Sequence, residues 1–158
     1  MKISYGKAVY NNKEINAALN VLKRKSFNLI DGPSVKELER KVSKLFGKRY
    51  GLMVNSGSSA LLLAMETLDF PPGSEIITPA LTFYTTVGYI VRNNWVPVFV
   101  DVEEGTYCIN EDKIKNLITK KTKAVVAPHL MGNIVNWDKV APILKKKGIL
   151  IIEDSADT

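Results

Sequence analysis

The apolar residues of this chain follow two rhythms in succession. In the opening stretch they recur at helical spacing, and Ile15, Leu19 and Leu22 share one face of a helix predicted over residues 12–25. Val35, Leu38, Val42 and Leu45 do the same over residues 33–46, where Pro33 suits the first helical position and Gly47 the stop. From Tyr50 onward the rhythm changes. Short, nearly continuous apolar runs at 50–54, 75–78, 96–100, 124–127 and 149–152 read as buried strands. Between them, residues 58–68, 82–92, 110–118 and 137–146 read as helices, and Pro71-Pro72-Gly73 as a turn. Pro97 implies that its strand starts late or has a free edge there.

Strands alternating with helices predict an α/β fold, a mostly parallel sheet with helices on both faces. The division expected is a helical segment over residues 1–48 followed by an α/β domain over 49–158. The chain stops at Thr158, just after the strand that ends at Glu153-Asp154. No helix follows to complete that layer, so a truncated protein is expected.

Composition narrows the picture without changing it. The chain has 158 residues, of which 46% are hydrophobic and 24% charged, ordinary values for a globular domain with a core. Its single cysteine, Cys108, can form no internal disulfide, which fits a reducing, cytoplasmic setting. No apolar run reaches the length of a membrane span, and Met1-Lys2-Ile3-Ser4-Tyr5 lacks the apolar core of a signal peptide. The net charge is +6, spread over many segments. Lys145-Lys146-Lys147, the densest run, reads as a solvated helix end rather than a nucleic-acid contact, because no helix-turn-helix or aromatic pattern accompanies it. The excess of positive charge would help to attract an anionic, phosphorylated substrate.

Open parallel sheets collect ligands at the carboxyl ends of their strands, and three segments there carry candidate chemistry. Asn55-Ser56-Gly57-Ser58-Ser59-Ala60 joins a strand to a helix. Gly57 permits close approach of the backbone, and the helix start offers free amides at a positive dipole end. The segment reads either as a phosphate cradle or as a plain serine cap. It is neither a Walker loop nor a dinucleotide fingerprint. Pro79-Ala80-Leu81-Thr82-Phe83-Tyr84 offers an aromatic that either stacks on a flat ring or packs in the core. Glu153-Asp154 places a carboxylate at a strand end, either to pair with a protonated ring nitrogen or to serve as a cap, a metal ligand or a ribose ligand. His129, the only histidine, has no partner that the sequence can name, and Asp101 reads as a cap of the turn after it. Phosphate cradle, ring stack and carboxylate on one sheet edge together suit pyridoxal phosphate.

In these segments the chain resembles the DegT-type sugar aminotransferases, pyridoxal-phosphate enzymes of the aspartate-aminotransferase fold. The resemblance runs from Tyr5-Gly6-Lys7 onward. It rests on Gly32-Pro33-Ser34-Val35-Lys36-Glu37-Leu38-Glu39, Asn55-Ser56-Gly57-Ser58-Ser59-Ala60-Leu61, Gly73-Ser74-Glu75-Ile76-Ile77-Thr78-Pro79 and Ile152-Glu153-Asp154-Ser155-Ala156 in that order. It implies the N-terminal part of that fold's large domain, with residues 49–158 an incomplete cofactor-binding domain. It also implies that Gly57 and Ser58 hold the cofactor phosphate, Phe83 stacks on the pyridine ring and Asp154 pairs with its nitrogen. Position 157 faces the ring hydroxyl in the family, where glutamine or histidine is usual, and here it is Asp157.

That departure is similar to the subgroup of 3-dehydratases acting on CDP-4-keto-6-deoxyglucose. There a histidine replaces the cofactor lysine, the cofactor works as pyridoxamine phosphate, and some members add a two-iron cluster and a reductase partner. The resemblance therefore implies a nucleotide-sugar substrate, pyridoxal or pyridoxamine 5'-phosphate, and a homodimer when full length. It places the catalytic lysine or histidine beyond Thr158, and the pathway in cell-surface polysaccharide synthesis. The competing expectation is a catalytically inactive remnant of such an enzyme.

Overall fold

The computed structural model describes residues 6–24, 29–30 and 32–158. The chain divides into two compact units, Met1–Met53 and Val54–Thr158.

The first unit holds two amphipathic helices, α1 (Asn12–Lys23) and α2 (Pro33–Leu45). The predicted end of the first helix at Lys25, like the segment Met1–Tyr5, lies outside the described residues. A reciprocal cap starts α1: Asn11 Oδ1 accepts the Lys13 amide at 2.8 Å, and Glu14 Oε2 accepts the Asn11 amide at 2.7 Å. That bond holds the Glu14 carboxyl below the usual carboxylate range. Pro33 opens α2 as expected, and Gly47 closes it with φ +61, a left-handed conformation that costs glycine little. No residue of either helix is buried, so the apolar faces read from the sequence stay open in this chain.

The strand expected over residues 50–54 does not form. Tyr50, Leu52 and Met53 are exposed, and no strand among the described residues pairs with them. The segment lies instead along α2, where Glu39 Oε1 accepts the Met53 amide at 2.9 Å. Contact is so close that a Cβ on Gly51 would stand 2.6 Å from the Glu39 carbonyl oxygen. Gly51→Ala is therefore expected to destabilise the protein by about 1–3 kcal/mol, the usual range for forced overpacking. Urea unfolding checks this, and an unchanged midpoint would mean that the segment leaves α2 at no cost.

The second unit is the expected α/β layer structure. Its elements are α3 (Gly57–Glu66), β1 (Glu75–Pro79), α4 (Tyr84–Arg92), β2 (Val96–Val100), α5 (Glu111–Leu117), β3 (Thr122–Pro128), a single 3-10 turn at Trp137–Lys139, α6 (Ala141–Lys146) and β4 (Leu150–Asp154). The four strands are all parallel, in the order β2-β1-β3-β4. Pro97 sits on β2, an edge strand, where a missing amide is tolerated. Successive strand residues point to opposite faces, and each face builds its own core. On one, Ile76, Ala124 and Val126 meet Leu61, Met65 and Ile90 from α3 and α4. On the other, Ile77, Val125 and Ala127 meet Ile114 of α5 and Leu144 of α6. The buried side chains of β1 and β3 account for why those two strands read as continuous apolar runs, whereas β2 and β4, also expected to be buried, are only partly covered because they lie at the sheet edges.

The helix expected over residues 137–146 is broken in two. Val140 has φ −125, off the helical range, and Pro142 follows within the first turn of α6. A proline at that position restricts the residue before it and cannot donate into a preceding turn. Lys145 and Lys146 close α6, as the helix-end reading of the lysine run expected. No helix among the described residues is long and apolar enough to cross a membrane.

Candidate functional site

Because all four strands run the same way, their carboxyl ends share one edge. A cavity of about 390 Å3 opens there. Gly57, Ser58, Phe83, Asp154 and Asp157, the five residues singled out from the sequence, all border it. A larger groove of about 590 Å3 runs between α6 and β4. Its walls are mainly apolar, and Asp138 and Lys145 are its only charged groups, so it lacks the convergent polar chemistry of the smaller cavity.

Ser56, not Ser58, caps α3. Its Oγ accepts the Ser59 amide and donates to Ser59 Oγ, both at 3.1 Å, and its carbonyl accepts the Ala60 amide at 3.0 Å. The Ser59 hydroxyl is thereby engaged within the cap. The amides of Gly57 and Ser58, first in the helix, have no carbonyl behind them to bond and are left to the cavity. They stand at the positive end of a ten-residue helix, a place that favours an anion. Gly57 also meets the opposite wall: a Cβ there would lie 3.3 Å from the Ala156 Cβ. A side chain at position 57 would crowd that wall.

Phe83 immediately precedes α4, with extended backbone, and the residue is 57% exposed. The Tyr84 ring lies 4.5 Å away, tilted by 46°, and props one side of it. The core-packing alternative for Phe83 is thus set aside, because the ring faces the cavity rather than the interior.

Asp154 ends β4, paired in register with Pro128 of β3. One carboxylate oxygen accepts the Ala156 amide at 3.1 Å, which folds the chain after β4 back along the cavity and brings Asp157 to its rim. The two carboxylates border the same cavity as the two helix-start amides, so its lining holds both hydrogen-bond donors and acidic acceptors.

Other bordering residues were given no role from the sequence. Thr82 and Thr85 reach the cavity beside Phe83 at the start of α4, and Leu130 and Ala156 reach it because β3 and β4 lie side by side. The Thr82 hydroxyl donates to Thr86 Oγ1 at 3.0 Å and ties the approach to α4. Asp101 departs from expectation. Its carboxylate pairs with Lys113 Nζ of α5 at 2.7 Å instead of capping its turn, and that lysine holds the Asp101 carboxyl below its ordinary range. His129 acquires partners, described below. Among the described residues, no group of three or more histidine, cysteine, aspartate or glutamate side chains could hold a metal ion.

The fold and the cavity define a class: a parallel α/β domain with a polar-lined cavity at the carboxyl ends of its strands. The chain belongs to the DegT/DnrJ/EryC1/StrS aminotransferase family, whose model matches residues 9–158. It is 41% identical over 134 residues to a dTDP-4-dehydro-2,6-dideoxy-D-glucose 3-dehydratase of Saccharopolyspora spinosa, covering 80% of this chain and 29% of that protein. It is 35% identical over 157 residues to a GDP-4-keto-6-deoxy-D-mannose 3-dehydratase of Yersinia pseudotuberculosis, covering 96% of this chain and 39% of that protein. Among solved structures, the E. coli GDP-4-keto-6-deoxy-D-mannose-3-dehydratase with bound hydrated PLP superposes with a TM-score of 0.85 at 32% identity, over 94% of this chain and 39% of that one. The chain thus spans about three-tenths to two-fifths of the length of these relatives. Its fold is that of the pyridoxal-phosphate-dependent aminotransferases.

Proposed function

We propose that the cavity binds pyridoxal or pyridoxamine 5'-phosphate, and that the chain is the cofactor-binding part of an enzyme acting on nucleotide-linked keto-deoxysugars. One observation carries this reading: residues from α3, the start of α4 and the end of β4 converge on a single cavity, each with the chemistry that one part of that molecule requires.

The residues fit the group. The Gly57 and Ser58 amides, beside a wall that a Cβ at position 57 would crowd, would take the phosphate. The exposed Phe83 ring would lie against the pyridine. Asp154, at the far end of the cavity, would accept a hydrogen bond from the ring nitrogen and so keep it protonated. Asp157 would stand toward the ring hydroxyl. When bound, the cofactor supplies an electron sink for breaking bonds beside its amine-bearing carbon. This chain's own part is to bind, to orient the ring, and to hold a proton at the ring nitrogen through Asp154.

The dehydratase relatives and Asp157 favour a sugar 3-dehydratase within this reading, with a sugar aminotransferase as the other branch. A cytoplasmic homodimer serving cell-surface polysaccharide synthesis goes with either. The test is a titration of the protein with each form of the cofactor, followed by absorbance, and then an assay with a nucleotide-linked 4-keto-6-deoxysugar. Saturable binding with loss of the sugar's 3-hydroxyl supports the dehydratase. Glutamate-dependent amination supports the transaminase, and binding without turnover supports the inactive-remnant alternative. A protein that binds neither form of the cofactor would sink the proposal.

A further inference from the structure

His129 follows directly on β3 and is 95% shielded from solvent, being 5% exposed. All of its polar atoms are used. Its amide donates to the Asp154 carbonyl at 2.9 Å, extending the β3–β4 ladder by one step. Its carbonyl accepts the Thr158 hydroxyl at 3.0 Å. On the ring, Nδ1 lies 3.1 Å from the Val135 amide nitrogen, and Nε2 lies 3.1 Å from Glu153 Oε2. A backbone N–H can only donate, so Nδ1 is the acceptor of the first bond. The ring proton therefore sits on Nε2 and is donated to the Glu153 carboxylate.

These bonds join two stretches that the sequence keeps apart, residues 129–135 and 153–158. Val135 ends the loop that begins at Leu130, a cavity residue, and that loop turns through left-handed Met131 and Gly132, with φ of 55 and 79. Glu153 immediately precedes Asp154. Thr158 ends the turn that carries Ala156 and Asp157. The imidazole itself lies on the far side of the sheet. Alternation along β3 and β4 sends His129 and Glu153 to the face of Ala127, and Asp154 to the face of Val126 and the cavity.

We propose that His129 is a positioning residue for this cavity. It touches no bound molecule, and from behind the sheet it clasps the Leu130 loop, the Asp154 strand end and the Asp157 turn into one wall. The inference rests on the cofactor reading above, since the wall it holds is the one that would face the pyridine ring. The phosphate cradle at α3 receives no bond from His129. The two ends of the cavity should therefore respond differently to its loss.

The experiment measures the affinity of the protein for pyridoxamine 5'-phosphate and, separately, for inorganic phosphate. Three variants accompany the unsubstituted chain: His129→Phe, His129→Asn, whose side-chain oxygen can replace Nδ1 as the acceptor for Val135, and Trp95→Phe. The last removes a 3.2 Å bond from the indole to the Phe70 carbonyl within the other core, and serves as a stability control. The expected result is a loss of about tenfold or more in pyridoxamine phosphate affinity in His129→Phe, with phosphate affinity kept and partial recovery in His129→Asn. A tenfold loss corresponds to about 1.4 kcal/mol, the size of one or two hydrogen bonds. Trp95→Phe should bind both ligands as the unsubstituted protein does, whatever its melting temperature. Equal losses for both ligands in His129→Phe would reduce the histidine to a general stabiliser and overturn the proposal, as would no loss for either. If the unsubstituted protein takes up phosphate but not pyridoxamine phosphate, the cofactor reading itself falls, and the role of His129 with it.

Discussion

Asp154→Asn should weaken binding of pyridoxal 5'-phosphate by about ten- to a hundredfold and leave the fold intact. A charged acceptor facing a protonated ring nitrogen contributes about 1.5–3 kcal/mol, and the neutral amide forfeits most of that. The isosteric side chain still reaches the Ala156 amide that Asp154 Oδ1 now accepts at 3.1 Å, so the turn after β4 should persist. In an active form of the enzyme the loss of turnover should exceed the loss of binding, because an unprotonated pyridine is a poorer electron sink. Equilibrium dialysis and thermal melting measured together decide the matter. Affinity equal to that of the unsubstituted protein would remove Asp154 from the site.

The second large effect is expected at Gly57. Gly57→Val should abolish phosphate-dependent binding, by a hundredfold or more, with little change in melting temperature. An alanine Cβ would already stand 3.3 Å from the Ala156 Cβ, and valine adds two methyl groups into the cradle itself. Position 57 is the first residue of α3, where the backbone is ordinary helix and a side chain imposes little conformational strain. The substitution therefore separates binding from folding. Competition between inorganic phosphate and pyridoxal phosphate provides the measurement, and retention of phosphate binding in Gly57→Val would place the anion elsewhere.

What the sequence disclosed followed from local chemistry. Pro33 and Gly47 framed α2, and Ile151-Ile152-Glu153-Asp154 announced a strand with acids at its end, though only a partly covered one, because caps and strand ends leave marks on adjacent residues. Gly57, Phe83 and Asp154 stood out because each sits at the end of a strand or the start of a helix, and all three border the cavity. What stayed hidden depends on partners distant in the chain. The run at 50–54 has the composition of a buried strand, but a strand needs a neighbour, and here the backbone bonds to Glu39 instead. Leu130 and Ala156 become cavity residues only through the β3–β4 register. His129 meets Glu153, which is 24 residues away, and no spacing rule could have named that pair.

The central position of β3 has a consequence for how the protein opens. It is hydrogen-bonded on both flanks, to β1 and β4, and six of its seven residues are buried. Its amides should be among the slowest in the molecule to exchange with deuterium, released only in global unfolding. Pro128, His129 and Leu130 hang directly from its end. The cavity wall should thereby be anchored to a slowly exchanging strand, while the first amides of α3, at the cradle, should exchange readily.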